Sequence, residues 1–259
     1  MKKQLIILKL GGSIITDKTR PYTPNLTALK RLVLEIKKAN VPVVIVHGQG
    51  SYAHTSAKKY GGKKGYKNTI GIARVFFDAT EMNRVVMQEL LNAKIPAVSF
   101  RPNSMFLSQN GALKKSNLEP VFEALSQGLV PVLYGDVIMD TSWQTTIFSG
   151  EVSTRHLVLF LARQKLNIKE IIQVGITDGV YDELGKTIRQ ISPLTFAMVK
   201  KHLFPSKTTD VTGSMMHKVE EAVKLGKLGI PTIILNGTRK NELYQTLKGK
   251  NSRFVTIVK

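Results

Sequence analysis

Cysteine is absent from the 259 residues of this chain, which excludes disulfide bonds, thiolate zinc sites and a cysteine nucleophile. A chain without cysteine is typical of a reducing compartment, and we expect a cytoplasmic protein. No run of residues approaches the roughly 18 apolar residues of a membrane span. The short apolar stretch near the start is broken by Lys9, so we also expect no signal peptide.

Acidic residues are scarce, with 18 Asp and Glu against 38 Lys and Arg and a formal charge of +20. Such a balance can indicate a nucleic acid, an anionic membrane or a small polyanionic substrate as the partner. The lysines are dispersed in pairs, however, and one Trp and seven Tyr leave little to stack on bases. Dispersed lysines are typical of a solvated surface. We therefore expect no specific nucleic-acid partner.

Three familiar nucleotide-binding motifs are also missing. The chain has no G-x-x-x-x-G-K-[ST], and after Gly48-Gln49-Gly50 the third glycine of a G-x-G-x-x-G is replaced by Ala53. The H-R-D and D-F-G motifs are absent as well, which excludes a protein kinase. If this protein transfers phosphoryl groups, it uses a different scaffold.

Apolar runs of strand length alternate with amphipathic stretches of helix length. The predicted strands are 5–10, 41–46, 96–100, 130–134, 145–148, 171–174, 232–235 and 253–258, and the predicted helices are 25–38, 72–93, 119–127, 151–162 and 214–228. This order predicts an α/β sandwich around a mostly parallel sheet. We expect one domain over 1–259, with lobes of about 1–165 and 166–259, and a mobile surface loop at 58–66.

Glycines follow the predicted strands repeatedly, at Gly11-Gly12, Gly48 and Gly50, Gly135, Gly150, Gly175 and Gly179, and Gly213. Ligands bind at the carboxyl ends of the strands in an open α/β sheet. Glycines placed there let backbone N–H groups approach phosphate oxygens. One such glycine is usually a turn residue, but this repetition favours a polyphosphate site.

Lysines near these glycines could neutralise the charge of a phosphoryl transfer. Lys9 closes an apolar strand, Lys18 follows in the next loop, and Lys218 lies in the last long helix. His54, at a predicted helix start, either donates to a phosphate or caps the helix. Asp136, Asp178 and Asp210 could orient lysines or hold Mg²⁺, or they are simple turn residues.

Several segments, in order, carry a more specific signal. They are Lys9-Leu10-Gly11-Gly12-Ser13 with Thr16-Asp17-Lys18, His47-Gly48-Gln49-Gly50-Ser51-Tyr52-Ala53-His54, Pro131 to Asp136, Ser149-Gly150, Thr177 to Tyr181, and Asp210-Val211-Thr212-Gly213 with Lys218. Together they resemble the isopentenyl phosphate kinases of the amino acid kinase superfamily. The resemblance covers about residues 5 to 240.

The resemblance implies a homodimeric three-layer αβα sandwich that phosphorylates isopentenyl phosphate with ATP, a step of isoprenoid precursor synthesis. It implies Lys9, Lys18, His54 and Lys218 as catalytic residues, His54 holding the acceptor phosphate. It places Lys9, Gly11, Gly12, Ser13, Gly50, Asp178, Gly179, Ser214 and Lys218 at the nucleotide, and Gly48, Gln49, Gly50, His54, Ser149 and Gly150 at the acceptor. Mg²⁺ would bridge phosphate oxygens through water and nucleotide, so no protein metal ligands are expected.

Five positions depart from the family pattern. Gln49 and Ala53 stand for glycines of the second motif, Tyr52 for Phe, Glu151 for Asp, and Ser214 for a glycine of the last loop. Each change keeps a backbone N–H, so phosphate binding can survive while the identity of the acceptor stays open.

Two alternatives follow. A kinase of the same fold could act on another small phosphate or a phosphonate, as a fosfomycin kinase does, or the chain could be a non-catalytic relative that binds nucleotide or nucleic acid. An isoprenoid tail needs an apolar pocket, for which the candidates are Phe76, Phe77, Met82, Val86 and Ile147; a phosphonate needs polar groups there. The same apolar residues could equally be ordinary core.

Overall fold

The computed structural model describes residues 4–62, 65–66, 68–202 and 211–259; the side chains of residues 53, 54, 62, 65, 202 and 211–214 lie outside that description. The strands are β1 (Leu5–Leu10), β2 (Val43–His47), β3 (Gly61–Gly62), β4 (Gly65–Tyr66), β5 (Ala97–Ser99), β6 (Phe106–Gln109), β7 (Ala112–Ser116), β8 (Val130–Tyr134), β9 (Asp136–Asp140), β10 (Gln144–Phe148), β11 (Ile168–Gly175), β12 (Val180–Tyr181), β13 (Thr187–Ile188), β14 (Gln190–Ile191), β15 (Thr232–Asn236) and β16 (Thr256–Val258).

The helices are α1 (Gly12–Ile15), α2 (Leu26–Ala39), α3 (Ser51–Tyr60), α4 (Thr69–Asn92), α5 (Pro102–Met105), α6 (Glu119–Ser126), α7 (Gly150–Arg163), α8 (Phe196–His202), α9 (Val211–Gly226) and α10 (Glu242–Leu247). Within the described ranges, none of them is both long and apolar enough to cross a membrane.

An eight-stranded sheet runs through the molecule in the order β14-β16-β15-β11-β1-β2-β8-β5. Its pairs are parallel except β15 with β16. Strand β1 lies between β2 and β11, so its carboxyl end is surrounded by the loops that follow both neighbours. The prediction of an α/β fold around a mostly parallel sheet is confirmed.

Strand β1 shows why the sheet is covered on both faces. Its side chains alternate, as a strand requires: Ile6, Leu8 and Leu10 pack in one core with residues of α2, α4 and α10, whereas Leu5 and Ile7 pack in a second core with residues of α6 and α7. The two cores make the αβα sandwich three-layered. By the same alternation, Lys9 lies on the α7 face of the sheet.

Helix α2 illustrates how local signals set the boundaries. The Asn25 side chain accepts a hydrogen bond from the Ala28 amide at 3.1 Å, and Asn40 ends the helix in the left-handed conformation at φ 49°. Between them, Leu29, Leu32 and other apolar residues face the core. The amphipathic pattern predicted this helix to within a residue.

A second, four-stranded sheet, in the order β10-β9-β6-β7, was not predicted in full. Only β10 was expected, because the short strands of 106–116 and 136–140 carry polar residues that interrupt an apolar run. The prediction of a loop at 58–66 is wrong in part: α3 continues to Tyr60, and Gly61–Gly62 pairs with Gly65–Tyr66. Residues 63 and 64 of that segment lie outside the described part of the chain.

Candidate active site

A cavity of about 190 Å³ lies at the carboxyl ends of β1, β2 and β8. Most of the predicted site residues line it: Lys9, Gly11, Gly12, Ser13, Lys18, Gly48, Gln49, Gly50, Ser149, Gly150 and Lys218. Lys9 and Lys218 are 209 positions apart in the sequence and line the same cavity. Lys9 comes from β1, and helix α9 brings the Lys218 ammonium near Gly175 at the end of the neighbouring strand β11.

Glycines allow the loops after β1 and β2 to touch backbone to backbone. A Cβ on Gly12 would lie 2.4 Å from the Gly50 nitrogen, and a Cβ on Gly48 would lie 2.5 Å from the Gly12 nitrogen. Gly50 has φ 49°, and its Cβ would lie 1.9 Å from the Thr16 hydroxyl oxygen. No side chain fits at these positions, so the glycines are required by the contact between the loops as well as by any ligand.

Two helices begin at the cavity. Gly50 precedes the first turn of α3, and Ser149 caps α7 with its hydroxyl accepting from the Val152 amide at 3.2 Å. The first-turn amides of a helix have no partner within the helix and carry a partial positive charge. Both helix starts therefore favour an anion in the cavity.

Lys9 is almost fully buried and forms an ion pair with the buried Glu151 of α7. Against the cost of burial, Lys9 lowers the pKa of Glu151 to about 2. A Cβ on Gly150 would lie 2.9 Å from the Lys9 side chain, so the lysine stem runs along the start of α7. Glu151 thus holds the Lys9 ammonium at the end of β1. The sequence identified Glu151 only as a departure from the family pattern and did not indicate this role.

Lys218 of α9 lines the same cavity, and its ammonium lies near Gly175 at the end of β11. Burial lowers the pKa of Lys218 to about 8, and the charge of Lys9 adds to the effect while Glu151 opposes it. Lys18, in the loop after α1, also lines the cavity and is exposed to solvent. The three lysines together make this end of the cavity positive.

His217, next to Lys218, was missed from the sequence. Its Nε2 lies 2.9 Å from the Ser149 hydroxyl, so α9 and the cap of α7 are in direct contact. Nothing in the local sequence signals this contact, because the two residues are 68 positions apart.

Four predicted site residues do not line the cavity or cannot be placed in it. The Asp178 carboxylate accepts hydrogen bonds from the side chains of Arg239 and Asn236. The Arg239 bond, helped by the Asn236 bond, lowers the pKa of Asp178 against the opposing effect of burial. Gly179 packs against Thr256. His54 falls in α3 and Ser214 in α9, but both side chains lie outside the description. Asp210 of the last motif also lies outside it.

The apolar part of the cavity wall comes from Ala57, Val75, Val137 and Ile147. Of the apolar candidates named from the sequence, only Ile147 is among the lining residues. Met82 and Val86 belong to the core between α4 and the sheet, Phe77 is exposed, and Phe76 is half-buried outside the lining. The positions of these four residues around helix α4 direct their side chains away from the cavity, and Val75 of the same helix lines it instead.

No cluster of three or more His, Asp or Glu side chains that could hold a metal ion occurs in the described ranges. Two carboxyl groups line the cavity in these ranges: Glu151 is paired with Lys9, and Asp136 accepts a hydrogen bond from the Val137 amide. These two residues fit a cation bound mainly by nucleotide phosphates rather than one held by a protein cage.

A model of the amino acid kinase family matches residues 4–236. Among characterised relatives, the chain is 31% identical to isopentenyl phosphate kinase of Methanocaldococcus jannaschii, over 95% of this chain and 96% of that protein. It is 30% identical to isopentenyl phosphate kinase of Methanothermobacter thermautotrophicus, over 98% of each.

Solved structures agree with the fold. An isopentenyl phosphate kinase structure superposes with a TM-score of 0.77 at 26% identity, covering 99% of this chain and 100% of that one. Carbamate kinase from Giardia lamblia superposes with a TM-score of 0.69 at 13% identity, covering 99% and 98%, a likeness of fold alone.

Proposed function

This chain belongs to the amino acid kinase family, and from that premise we propose that it transfers the terminal phosphoryl group of ATP to isopentenyl phosphate, giving isopentenyl diphosphate and ADP. The family membership supports a kinase, and the names of the most similar relatives support the acceptor.

One observation carries the proposal: Lys9, Lys18 and Lys218 line a single cavity into which two helices begin. Phosphoryl transfer needs charge neutralisation and alignment more than covalent chemistry. A cavity with three ammonium groups and two helix starts supplies that neutralisation, and its four apolar side chains suit a short hydrocarbon tail.

In the proposed reaction an oxygen of the acceptor phosphate attacks the γ-phosphorus of ATP as the bond to the β-phosphate oxygen breaks. Lys9, positioned by Glu151, and Lys218 stabilise the negative charge on the transferring group. Lys18, which is not held by an ion pair among the described residues, is free to follow that group. His54 is proposed to hold the acceptor phosphate.

Mg²⁺, when bound to the nucleotide, would supply further neutralisation of the phosphate oxygens. The proposed setting is a homodimer in the cytoplasm, with the acceptor bound by the lobe of about residues 1–165 and the nucleotide by that of about 166–259.

An assay of ADP release over a panel of acceptors tests the proposal. The panel contains isopentenyl, dimethylallyl and geranyl phosphates, fosfomycin, UMP and acetylglutamate, each with ATP and Mg²⁺. We expect the highest kcat/KM with isopentenyl phosphate. Turnover of UMP or acetylglutamate without turnover of any prenyl phosphate would refute the assignment.

A matched pair of variants ties the activity to the cavity. Lys18→Ala should lower kcat about 100-fold with little change in the KM for ATP, because an exposed lysine at the transferring group acts mainly in the transition state. Lys30→Ala, an exposed lysine on α2, should leave both constants unchanged.

One observation favours a more polar acceptor. Both polar atoms of the Gln49 carboxamide are buried in the cavity wall without a hydrogen-bond partner among the described residues, and a small phosphonate could satisfy them. Fosfomycin is in the panel for this reason.

A further inference from the structure

Asp136, the first residue of β9, is a buried carboxyl group in the wall of the cavity, with 5% of its surface exposed. Its Oδ1 accepts a hydrogen bond from the Val137 amide at 2.8 Å. Its Oδ2 is buried and has no hydrogen-bond partner within the described part of the chain. An unsatisfied buried oxygen costs free energy unless a ligand or a proton changes its situation.

A second aspartate on the same strand shows the contrast. Asp140 is equally buried, but its carboxylate accepts hydrogen bonds from the amides of Asn110, Gly111, Ser142 and Trp143, at 2.8 to 3.2 Å. Against the cost of burial, these amides hold the pKa of Asp140 well below its usual range. Asp140 is a satisfied anion, and Asp136 lacks that support.

Burial raises the pKa of Asp136 to about 8, although the Val137 amide, Asn103 and the charge of Arg101 oppose the shift. Of the groups that titrate around it, Tyr66 and Tyr134 have pKa values raised by burial to about 12 and stay neutral. On α4, Asp78 is paired with Arg74. The carboxyl group of Asp136 therefore carries its proton at neutral pH.

The charged side chains that line the cavity together with Asp136 are Lys9, Lys18, Lys218 and Glu151. Asp136 is also close to the start of α7, because a Cβ on the preceding Gly135 would lie 2.9 Å from the Gly150 nitrogen. An anion bound at the start of α7 would thus lie near this carboxyl group. An ionised carboxylate there would repel the anion, whereas a protonated one can donate a hydrogen bond to it.

We propose that Asp136 is a specificity-determining residue that works as an uncharged acid: it donates a hydrogen bond to the phosphate of the acceptor, and its ionisation weakens acceptor binding. The proposal rests on the proposed function for the identity of the acceptor. It assigns a role to a residue that the sequence left as a turn residue, a partner of lysines or a ligand of Mg²⁺.

Calorimetric titration with isopentenyl phosphate between pH 7 and 9.5 tests it, a range in which the acceptor phosphate keeps a constant charge because its second pKa is about 6. The Kd of the wild type should rise about tenfold between pH 7 and 9, as one group with a pKa near 8 ionises. Asp136→Asn keeps a donor that cannot ionise, so its Kd should stay within about threefold of the wild-type value at pH 7 and lack most of this rise.

Two further variants sharpen the comparison. Asp140→Asn, on the same strand, should follow the wild-type curve. Asp136→Leu should bind about tenfold more weakly at every pH, because it loses the donor. Lys218 also loses its proton near pH 8, but it does so in all of these proteins, so the difference between the curves belongs to Asp136. Parallel curves for the wild type and Asp136→Asn would overturn the proposal.

A second readout does not depend on the acceptor. A carboxyl group whose pKa is raised by folding stabilises the fold at low pH and loses that contribution as pH rises from about 4 to 8. The melting temperature of the wild type should therefore fall relative to that of Asp136→Asn over this range. If it does so while no prenyl phosphate binds, the proposed acceptor is wrong and the protonated Asp136 stands; if the two melting curves shift in parallel, the uncharged acid is refuted.

Discussion

The pKa values of Glu151 and Lys218 in this cavity depend on burial and on neighbouring charges as well as on residue type. Lys9 and Glu151 form a buried ion pair that lowers the pKa of Glu151, and the charge of Lys9 adds to burial in lowering the pKa of Lys218. Burial and the charge of Lys9 bring the pKa of Lys218 into the pH range in which enzymes are assayed.

Lys218→Arg should move the loss of activity at high pH. In the free protein the lysine loses its proton above a pKa of about 8. At saturating acceptor, kcat/KM of the wild type for ATP should therefore fall through pH 8 to 9, the charged form being the active one. A guanidinium stays charged in this range. We expect the variant to lose kcat/KM at neutral pH, because its geometry differs, yet to keep its remaining kcat/KM up to pH 9.5. A decline at the same pH in both proteins would assign it to another group.

Glu151→Gln should be costly because it leaves Lys9 buried without a counter-charge. Breaking a buried pair in this way costs about 3 to 5 kcal/mol in the free energy of unfolding. The folded pKa of Glu151, about 2, is below its ordinary 4.5, so the pair stabilises the protein above pH 4.5 and is lost as pH falls toward 2. Urea unfolding at pH 7 and pH 3 should show the deficit of the variant shrinking at the lower pH.

An exposed ion pair provides the control. Lys200 and Glu220 form a bond of 3.0 Å with side chains 49% and 35% exposed. Glu220→Gln should change the free energy of unfolding by about 1 kcal/mol or less. An equal cost for both variants would mean that Glu151 is not the partner on which Lys9 depends.

At the scale of elements, the site depends on the contact between the loop after β1 and the turn from β2 into α3. Gly50 lies at that contact with a positive φ, and Gly128, after α6, has φ 78° with no atom within 4 Å of its Cβ position. The two glycines share a positive φ and differ in surroundings.

Gly50→Ala should therefore cost more than Gly128→Ala. A left-handed alanine alone costs roughly 1 to 2 kcal/mol, which is the expectation for Gly128→Ala with activity unchanged. Gly50→Ala also drives its Cβ into Thr16 and the Gly12 carbonyl, so it should lower stability further and reduce kcat/KM for the acceptor. Thermal melting and steady-state kinetics on the pair measure both effects. Equal melting temperatures would show that the loop can move aside.

At the scale of the whole molecule, the two expected lobes share one sheet. Strand β1 pairs with β11 over its whole length, so the strand that carries Lys9 is hydrogen-bonded to the C-terminal half. We expect the chain to unfold as one unit, and a fragment of residues 1–165 to lack a stable fold because β1 would become an edge.

The single tryptophan, Trp143, makes this measurable, because it lies in the turn between β9 and β10 of the small sheet, packed on Gly111. Its fluorescence reports that sheet, and far-ultraviolet circular dichroism reports the whole chain. The two urea transitions should coincide. A fluorescence change at lower urea would show that the small sheet unfolds on its own.

Much of this architecture follows from local patterns in the sequence. The apolar runs of β1, β2 and β8 and the stripe of α2 depend on periodicity, a local property that burial of one face enforces. The prediction of a phosphate site was based on Lys9 and Gly11-Gly12. It could be made from the sequence because the end of a strand and the residues just after it are neighbours in any such fold. The cavity indeed brings most of the predicted loop residues together.

Contacts between residues that are far apart in the sequence depend on the tertiary structure. Glu151 meets Lys9 across 142 positions, His217 meets Ser149 across 68, and Val75 rather than its neighbours reaches the cavity. The charge states follow the same rule. Asp136 and Asp140 lie on one strand and are each 5% exposed, yet four amides hydrogen-bond to Asp140, whereas desolvation outweighs the hydrogen bonds to Asp136. Periodicity cannot encode such differences, because desolvation and hydrogen bonding depend on which atoms surround a group after folding.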